Sequence, residues 1–549
     1  MRLGWVAALA LLSAACGNNA PPATTQTPVP TTVRIGWAGS PDSLNPGVAR
    51  LAEAQTLFTL VYDTLYSLQL DGKIHPALAE RATRTEDGKV WTYQIKRGVK
   101  FHDGQPLSAR DVAFSFDFYQ RHPEFPYLHG YTRGFERIEA PSDDRVVLSL
   151  AAAVPNLESR LAYLYVLPEH LWKSYAQGED AGEFGNAALI GSGPFRLVEY
   201  QPNQFIRLAA NRDHPWLAPK IGEAIFQTFA NPDALVQALR TGQVDMITEL
   251  PNTAVASLGK QAQIQVISGT PLAPGVTDIL INQITPERCP PNGRCTGHPA
   301  LRDRVVRRAL AHAVDKRKLI DVALLGLGVP GLTLVPQGLG DWYNGALADY
   351  PYDPAAANRL LDEAGYRDHD GDGVREMPDG GRPLSFRLYW ASDSTIYPRM
   401  AELLSAMWRA IGVKTELQTL DPDALSNACC PGFDYDLIVW GWGSDPDPDL
   451  VLGAMASTQI ASGGNETGYA NPAYDALYAR QATELDPGAR RALVWEMQRI
   501  VLEDVVYIVP FYEQDVQAYR TDRFQGWPRN AARVALEHAS SLAAIEPVR

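Results

Sequence analysis

Gly441, Trp442, Gly443, Ser444 and Asp445 bring together an indole, two residues without side chains and a carboxylate in one short stretch. The combination suits capture of a small solute with an apolar body and a positive charge. Glycine lets another molecule approach the backbone, the Trp442 ring offers a flat apolar face with one N–H donor, and Asp445 offers an anionic acceptor. Each feature also has a plainer reading. A glycine-flanked Trp serves equally as core, and Asp445-Pro446-Asp447-Pro448 is an ordinary rigid turn.

A second cluster of oxygen-bearing side chains follows a calcium-loop pattern. Asp368, Asp370, Asp372 and Glu376 fall at positions 1, 3, 5 and 9, Gly373 at 6, Val374 gives its carbonyl at 7, and Asp379 stands at 12. Asp379 reaches less far than the usual glutamate, and a solvated acidic turn is the alternative. Calcium held here would be structural, because the loop lies between a helix and a strand, away from the Trp442 stretch.

Catalytic patterns are missing. The chain has no H-E-x-x-H, no G-x-x-x-x-G-K-[ST], no G-x-G-x-x-G opening a helix and no paired C-x-x-C. Gly191-Ser192-Gly193 is followed by Pro194 and a strand, whereas a nucleophile elbow runs strand, turn, helix. His102-Asp103-Gly104 reads as a hairpin turn. Asp445 and Asp447 in a proline-locked turn do not oppose each other as a glycosidase pair must. A binding protein is expected, not an enzyme.

The elements that position Trp442 and Asp445 read as α/β. Tyr435 to Trp440 is apolar on both faces apart from Asp436, as in a strand covered on both sides, and open α/β sheets place ligand crevices just past such strand ends. Strand Leu384 to Trp390, helix Tyr397 to Ile411 and strand Val413 to Thr419 form a βαβ unit leading toward it. Asp353-Pro354 caps a helix closed by Gly365, and Pro299 opens a helix with a basic outer face. Pro487 starts a last long helix before the strand Val505 to Phe511. Earlier, Val33 to Trp37 is a short strand, Ser108 an N-cap, and Leu235 to Gly242 a helix with Gly242 just past its end.

With 549 residues the chain exceeds one core and calls for two or three domains. A net charge of −14 argues against a nucleic-acid or anionic-membrane surface and weakly favours cationic ligands. Met1-Arg2, the apolar run Leu3 to Leu12 and Ser13-Ala14-Ala15 ahead of Cys16 resemble a bacterial lipoprotein signal, with Cys16 as the lipidated first mature residue. An ordinary cleaved secretory signal is the alternative. Gly17 to Thr32, rich in Pro and Thr, reads as an extended tether. Export fits a disulfide, and Cys289 and Cys295 bracket a turn of suitable length; Cys429-Cys430 are either paired or free.

Several segments carry a family resemblance in order and spacing: Gly39-Ser40-Pro41-Asp42-Ser43-Leu44-Asn45-Pro46, Leu78-Ala79-Glu80, Arg97-Gly98-Val99-Lys100-Phe101-His102-Asp103-Gly104, Leu107 to Val112, Gly191 to Phe195 and the Trp442 loop. They resemble the family-5 extracellular solute-binding proteins, the oligopeptide, dipeptide and nickel-binding components of ABC importers. The resemblance implies a periplasmic-binding-protein-like type II fold: two lobes with a hinge, in three domains. The divisions expected are a signal over 1–16, a tether over 17–32, lobe 1 over 33–275, lobe 2 over 276–504, and a return to lobe 1 over 505–549. It implies a monomer that captures peptides outside the cytoplasmic membrane, anchored there by lipid, and delivers them to permease subunits, with no cofactor required. Peptide binders of the family hold the peptide α-ammonium on an aspartate at the position of Asp445, with Trp442, Gly441, Gly443, Gly39 and Ser40 around the ligand. The loop Pro446-Asp447-Pro448-Asp449 is more acidic and shorter than in typical peptide binders. Other readings therefore stay open: the same fold on an oligosaccharide, an opine-like compound or a metal chelate, or a lipid-anchored receptor or chaperone.

Overall fold

The computed structural model describes residues 31–176 and 180–548. Cys16, the signal and most of the tether lie outside the described residues. Two α/β lobes are built on separate sheets. The lobe 1 sheet has seven strands in the spatial order 264–269, 515–520, 246–247, 32–37, 223–228, 205–210, 195–201. Its central strand, Thr32–Trp37, runs parallel to both neighbours. A four-stranded antiparallel sheet, ordered 79–84, 90–95, 145–150, 135–142, forms a second domain of this lobe. The helix Ala109–Arg121 packs on it and starts at a capping box, in which Ser108 and Asp111 satisfy each other's backbone N–H groups. Both sheets contribute to one continuous apolar core that runs from Val33 and Ile35 to Phe116 and Tyr119.

Lobe 2 carries six strands in the order 328–330, 507–513, 275–281, 437–443, 385–391, 414–420. Leu437 and Val439 join Ile279, Leu388 and the helix Tyr397–Arg409 on one face. Ile438 joins Leu280, Tyr507 and the helix Pro487–Asp504 on the other. Two covered faces explain the uninterrupted apolar runs of these strands.

The chain passes between lobes twice, over 270–274 and at Gln514. The second crossing departs from expectation. The strand expected to return to lobe 1 from residue 505, Tyr507–Glu513, pairs instead with Gly275–Ile281 and belongs to lobe 2, so the return begins at Asp515. Residues Tyr507 to Tyr512 are buried throughout, and a strand apolar on both faces needs cover on both, which lobe 2 provides.

Other boundaries also shift. Regular pairing around Trp442 spans Leu437–Gly443, not Tyr435 to Trp440, because the partner strand continues to the pair Gly275 and Gly443. Trp442 and both glycines are therefore strand residues. Pro299 opens only a short turn to Arg302, and Asp303 then caps a separate helix, Arg304–His312. Among the described residues no helix is long and apolar enough to cross a membrane.

Candidate ligand-binding cleft

The strand Leu437–Gly443 ends at the boundary between lobes, and the two glycines there do different things. A β-carbon on Gly441 would meet the Tyr397 hydroxyl at 3.1 Å and the Val276 carbonyl at 3.2 Å, so its small size serves packing within lobe 2. A β-carbon on Gly443 would meet nothing within 4 Å, and there the backbone is open to a ligand. The Trp442 indole N–H between them donates to Glu466 Oε2 at 2.9 Å, which fixes the ring on the lobe 2 core.

Asp445 follows Ser444, whose hydroxyl donates to the Pro274 carbonyl at the first crossing. Across the cleft, the Tyr131 hydroxyl of lobe 1 donates to Asp445 Oδ1 at 3.3 Å. Tyr131 is stacked on Tyr163, with ring centroids 5.0 Å apart and planes 9° from parallel. Burial pushes the Asp445 carboxyl up to about 6; Asp447 and Asp449 push the same way, against the Tyr131 hydrogen bond and Arg160. Asp445 is thus a half-buried acid with a neutral donor as its neighbour across the lobes.

The other acids of the loop are occupied. Asp447 is buried and takes two hydrogen bonds from the equally buried Arg490, one at 2.8 Å, while Asn156 of lobe 1 approaches it at 3.4 Å. Asp449 accepts from Gln481 Nε2 at 2.7 Å. Asp447 is thus neutralised by Arg490 inside lobe 2 and Asp449 is hydrogen-bonded there by Gln481, whereas the hydrogen bond that Asp445 takes comes from the neutral Tyr131 hydroxyl of lobe 1.

Behind Tyr131 a cavity of about 750 Å³ runs through lobe 1, within the size range of small-molecule sites. Tyr62, Tyr127, Tyr163, Tyr165 and Trp216 line it with Tyr131, and it reaches Leu272 and Ala273 at the first crossing. Gly39 and Ser40 are not part of its wall. A β-carbon on Gly39 would fall on the carboxylate of Glu53, the movable end of a long side chain, and Ser40 Oγ accepts from the Asn203 N–H at 3.3 Å. At the second crossing, Glu513 accepts from the Thr277 hydroxyl at 2.9 Å and is held above the ordinary carboxylate range by burial. Asp515 stands beside it, and Glu249 is raised by burial and by Glu53. Carboxylates thus collect where the first loop, the crossings and the lobe 2 strand ends meet.

The other residues singled out in the sequence make their contacts within their own lobes. The Ser192 hydroxyl donates to Asp63 Oδ2 at 2.8 Å, and His214 contacts the same carboxylate at 3.1 Å. A shared aspartate between serine and histidine is the wrong order for activating the serine. His102 is tied to the backbone of Gly191 and Gly193. Asp368, Asp370, Asp372 and Glu376 converge, each with an oxygen within 4.8 Å of the others. Asp379 does not join them: its carboxylate caps the Gly381 N–H at 3.0 Å, being too short to reach back. Cys289 and Cys295 form a disulfide, as do Cys429 and Cys430, and the latter pair lies beside Glu466.

The model of the bacterial extracellular solute-binding proteins, family 5, matches residues 73–463. The oligopeptide-binding protein AppA of Bacillus subtilis is 24% identical over 88% of this chain and 86% of its own length. Its structure with a nonapeptide superposes with a TM-score of 0.72 at 22% identity, covering 94% of this chain and 99% of that one. The nickel-binding periplasmic protein of Escherichia coli is 26% identical over 87% of this chain and 88% of its own. NikA of Brucella suis, in complex with Fe(III)-EDTA, gives a TM-score of 0.80 at 23% identity, covering 94% and 100%.

Proposed function

We propose that this chain, which belongs to the bacterial extracellular solute-binding proteins of family 5, captures peptides by holding their α-ammonium on Asp445. It is a transport binding protein of an ABC importer rather than an enzyme, and it works outside the cytoplasmic membrane. The observation that carries the peptide reading is the state of the three loop aspartates. Asp447 is paired with Arg490 and Asp449 with Gln481, whereas Asp445 meets the Tyr131 hydroxyl from lobe 1. An ammonium entering the cleft supplies the charge this carboxylate lacks, and the aromatic cavity behind Tyr131 takes the body of the ligand. Closure around it follows from tighter binding to the closed state than to the open one.

Glu249, Glu513 and Asp515 favour the same reading over an anionic metal chelate, which would bring like charge to the carboxylates at the crossings. The test is mass spectrometry of whatever co-purifies with the protein from its native source. Peptides with free amino termini are expected; a sugar, an opine-like compound or a chelate would displace the peptide reading.

Two features accompany this function as proposals. Cys16 carries the lipid anchor, with more than one acyl chain, since one binds membranes only marginally. Cys16→Ser should move the protein from the membrane to the soluble fraction, and firm retention in the membrane would refute the anchor. The Asp368–Glu376 loop holds a structural calcium that supports lobe 2 without setting ligand affinity. Its support is the convergence of four carboxylates, and Asp370→Asn with Asp372→Asn should abolish that part of any chelator-sensitive melting.

A further inference from the structure

The cavity of lobe 1 has on its wall a carboxylate that no basic side chain answers among the described residues. Glu537 lines the cavity just ahead of the helix Ala539–Ala544. Its Oε2 accepts from Gln517 Nε2 at 2.8 Å. Gln517, 2% exposed, is itself fixed by the Leu536 N–H at 2.7 Å and the Thr248 carbonyl at 2.9 Å, so the carboxylate is held in one orientation. Burial pushes the Glu537 carboxyl up to about 7, and the Asp515 charge adds to this against the Gln517 hydrogen bond, yet the residue keeps accessible surface. A group so enclosed that still meets solvent faces the cavity. Polar groups continue along the same wall: Ser540 Oγ donates to Gln69 Oε1 at 2.5 Å, and Gln69 Nε2 donates to Ser67 Oγ at 2.7 Å.

We propose that Glu537 is a second ligand anchor, which selects peptides carrying a lysine or arginine within their first two residues. The inference rests on the peptide reading and adds a side-chain charge to it. Tyr131 joins the cavity to Asp445, where the α-ammonium is held. A compact space of that volume is about 11 Å across, and two residues of extended chain, about 7 Å, with a long side chain cover it. Tyr62, Tyr165 and Trp216 on the wall suit the apolar stem of lysine or the flat guanidinium of arginine. The other charged or titratable groups there do not replace the ligand. Asp63 already takes the Ser192 hydroxyl and His214. His538 is pushed down to about 4 by burial, and its Nδ1 accepts the Ser540 N–H, so it brings Glu537 no positive charge. Arg50 is exposed, where solvent screens it. A neutral side chain would leave Glu537 without a counter-charge, and an acidic one would be repelled.

Calorimetric titration of the full-length protein at pH 7.5 compares the tripeptides Lys-Ala-Ala and Ala-Lys-Ala with the same peptides carrying norleucine, which has the lysine stem without its charge. The tighter lysine peptide should bind at least about tenfold more strongly than its norleucine counterpart. Glu537→Gln should bring the two close to parity. Glu537→Asp, which keeps the charge but withdraws it by one methylene, is the second variant should the first fold poorly, and it should lower the preference several-fold. A preference between two peptides measured in one protein does not move with stability, so a merely structural Glu537 would leave it in place. Lysine and norleucine peptides that bind alike, or a preference that survives both variants, would overturn this anchor and leave peptide capture standing. Failure of all four peptides to bind would count against the peptide reading itself, and against this anchor with it.

Discussion

Asp445→Ala is expected to weaken binding of the co-purified peptide by about thirty-fold or more, since truncating one partner of a buried charge pair costs about 2 to 5 kcal/mol. Much of that cost comes from the ammonium left without a counter-charge in a cleft that closure has dried. Neighbouring substitutions separate this anchor from the general acidity of the loop. Asp449→Ala removes a hydrogen bond with Gln481 inside lobe 2 and should leave affinity nearly unchanged. Tyr131→Phe removes one neutral donor at 3.3 Å and should change affinity by no more than about tenfold. Calorimetric titration of the three variants checks the order, and an Asp445→Ala protein that binds like the parent would refute the anchor.

The second large effect concerns stability. Arg490→Ala should cost lobe 2 about 3 to 5 kcal/mol, because Asp447 would remain buried without its partner. Arg490 also lies over the Trp342 ring at 4.9 Å and donates to Gln481, so packing is lost along with charge. The double variant Arg490→Ala with Asp447→Ala should be less damaged than the single one, since no uncompensated charge remains. Urea unfolding followed by a lobe 2 probe makes the comparison. A single variant no worse than the double would mean the pair is solvated and contributes little.

These two residues also show what the sequence made legible. Asp445 was found because its cues are local: a strand end, a flanked Trp and a family position within a few residues of one another. The α/β character of lobe 2 was equally readable, since apolar runs such as Leu437 to Val439 and the helix pattern of Met400, Leu404 and Met407 record which faces are covered. What stayed hidden was pairing at a distance. Tyr131 reaches Asp445 from 314 positions away, and Arg490 reaches Asp447 from 43, with no periodicity that marks either contact. For the same reason the acidic loop reads in sequence as a departure in ligand chemistry, although Arg490 neutralises Asp447 and Gln481 hydrogen-bonds Asp449 within lobe 2. The strand Tyr507–Glu513 was assigned to the wrong lobe because its own pattern says only that both faces are covered, not which sheet covers them.

The central claim, a ligand ammonium held on Asp445, is tested most directly by titrating the co-purified peptide and its N-acetylated form at pH 7.5 and pH 5. Asp445 must be ionised to act as the anchor, and its carboxyl is held at about 6 in the unliganded protein, so the anchoring charge is present above that value and lost as pH falls through it. The free peptide should therefore bind about tenfold more weakly at pH 5 than at 7.5. The acetylated peptide should bind weakly at both, with little dependence on pH. Equal affinity of the two forms at pH 7.5 would contradict the account.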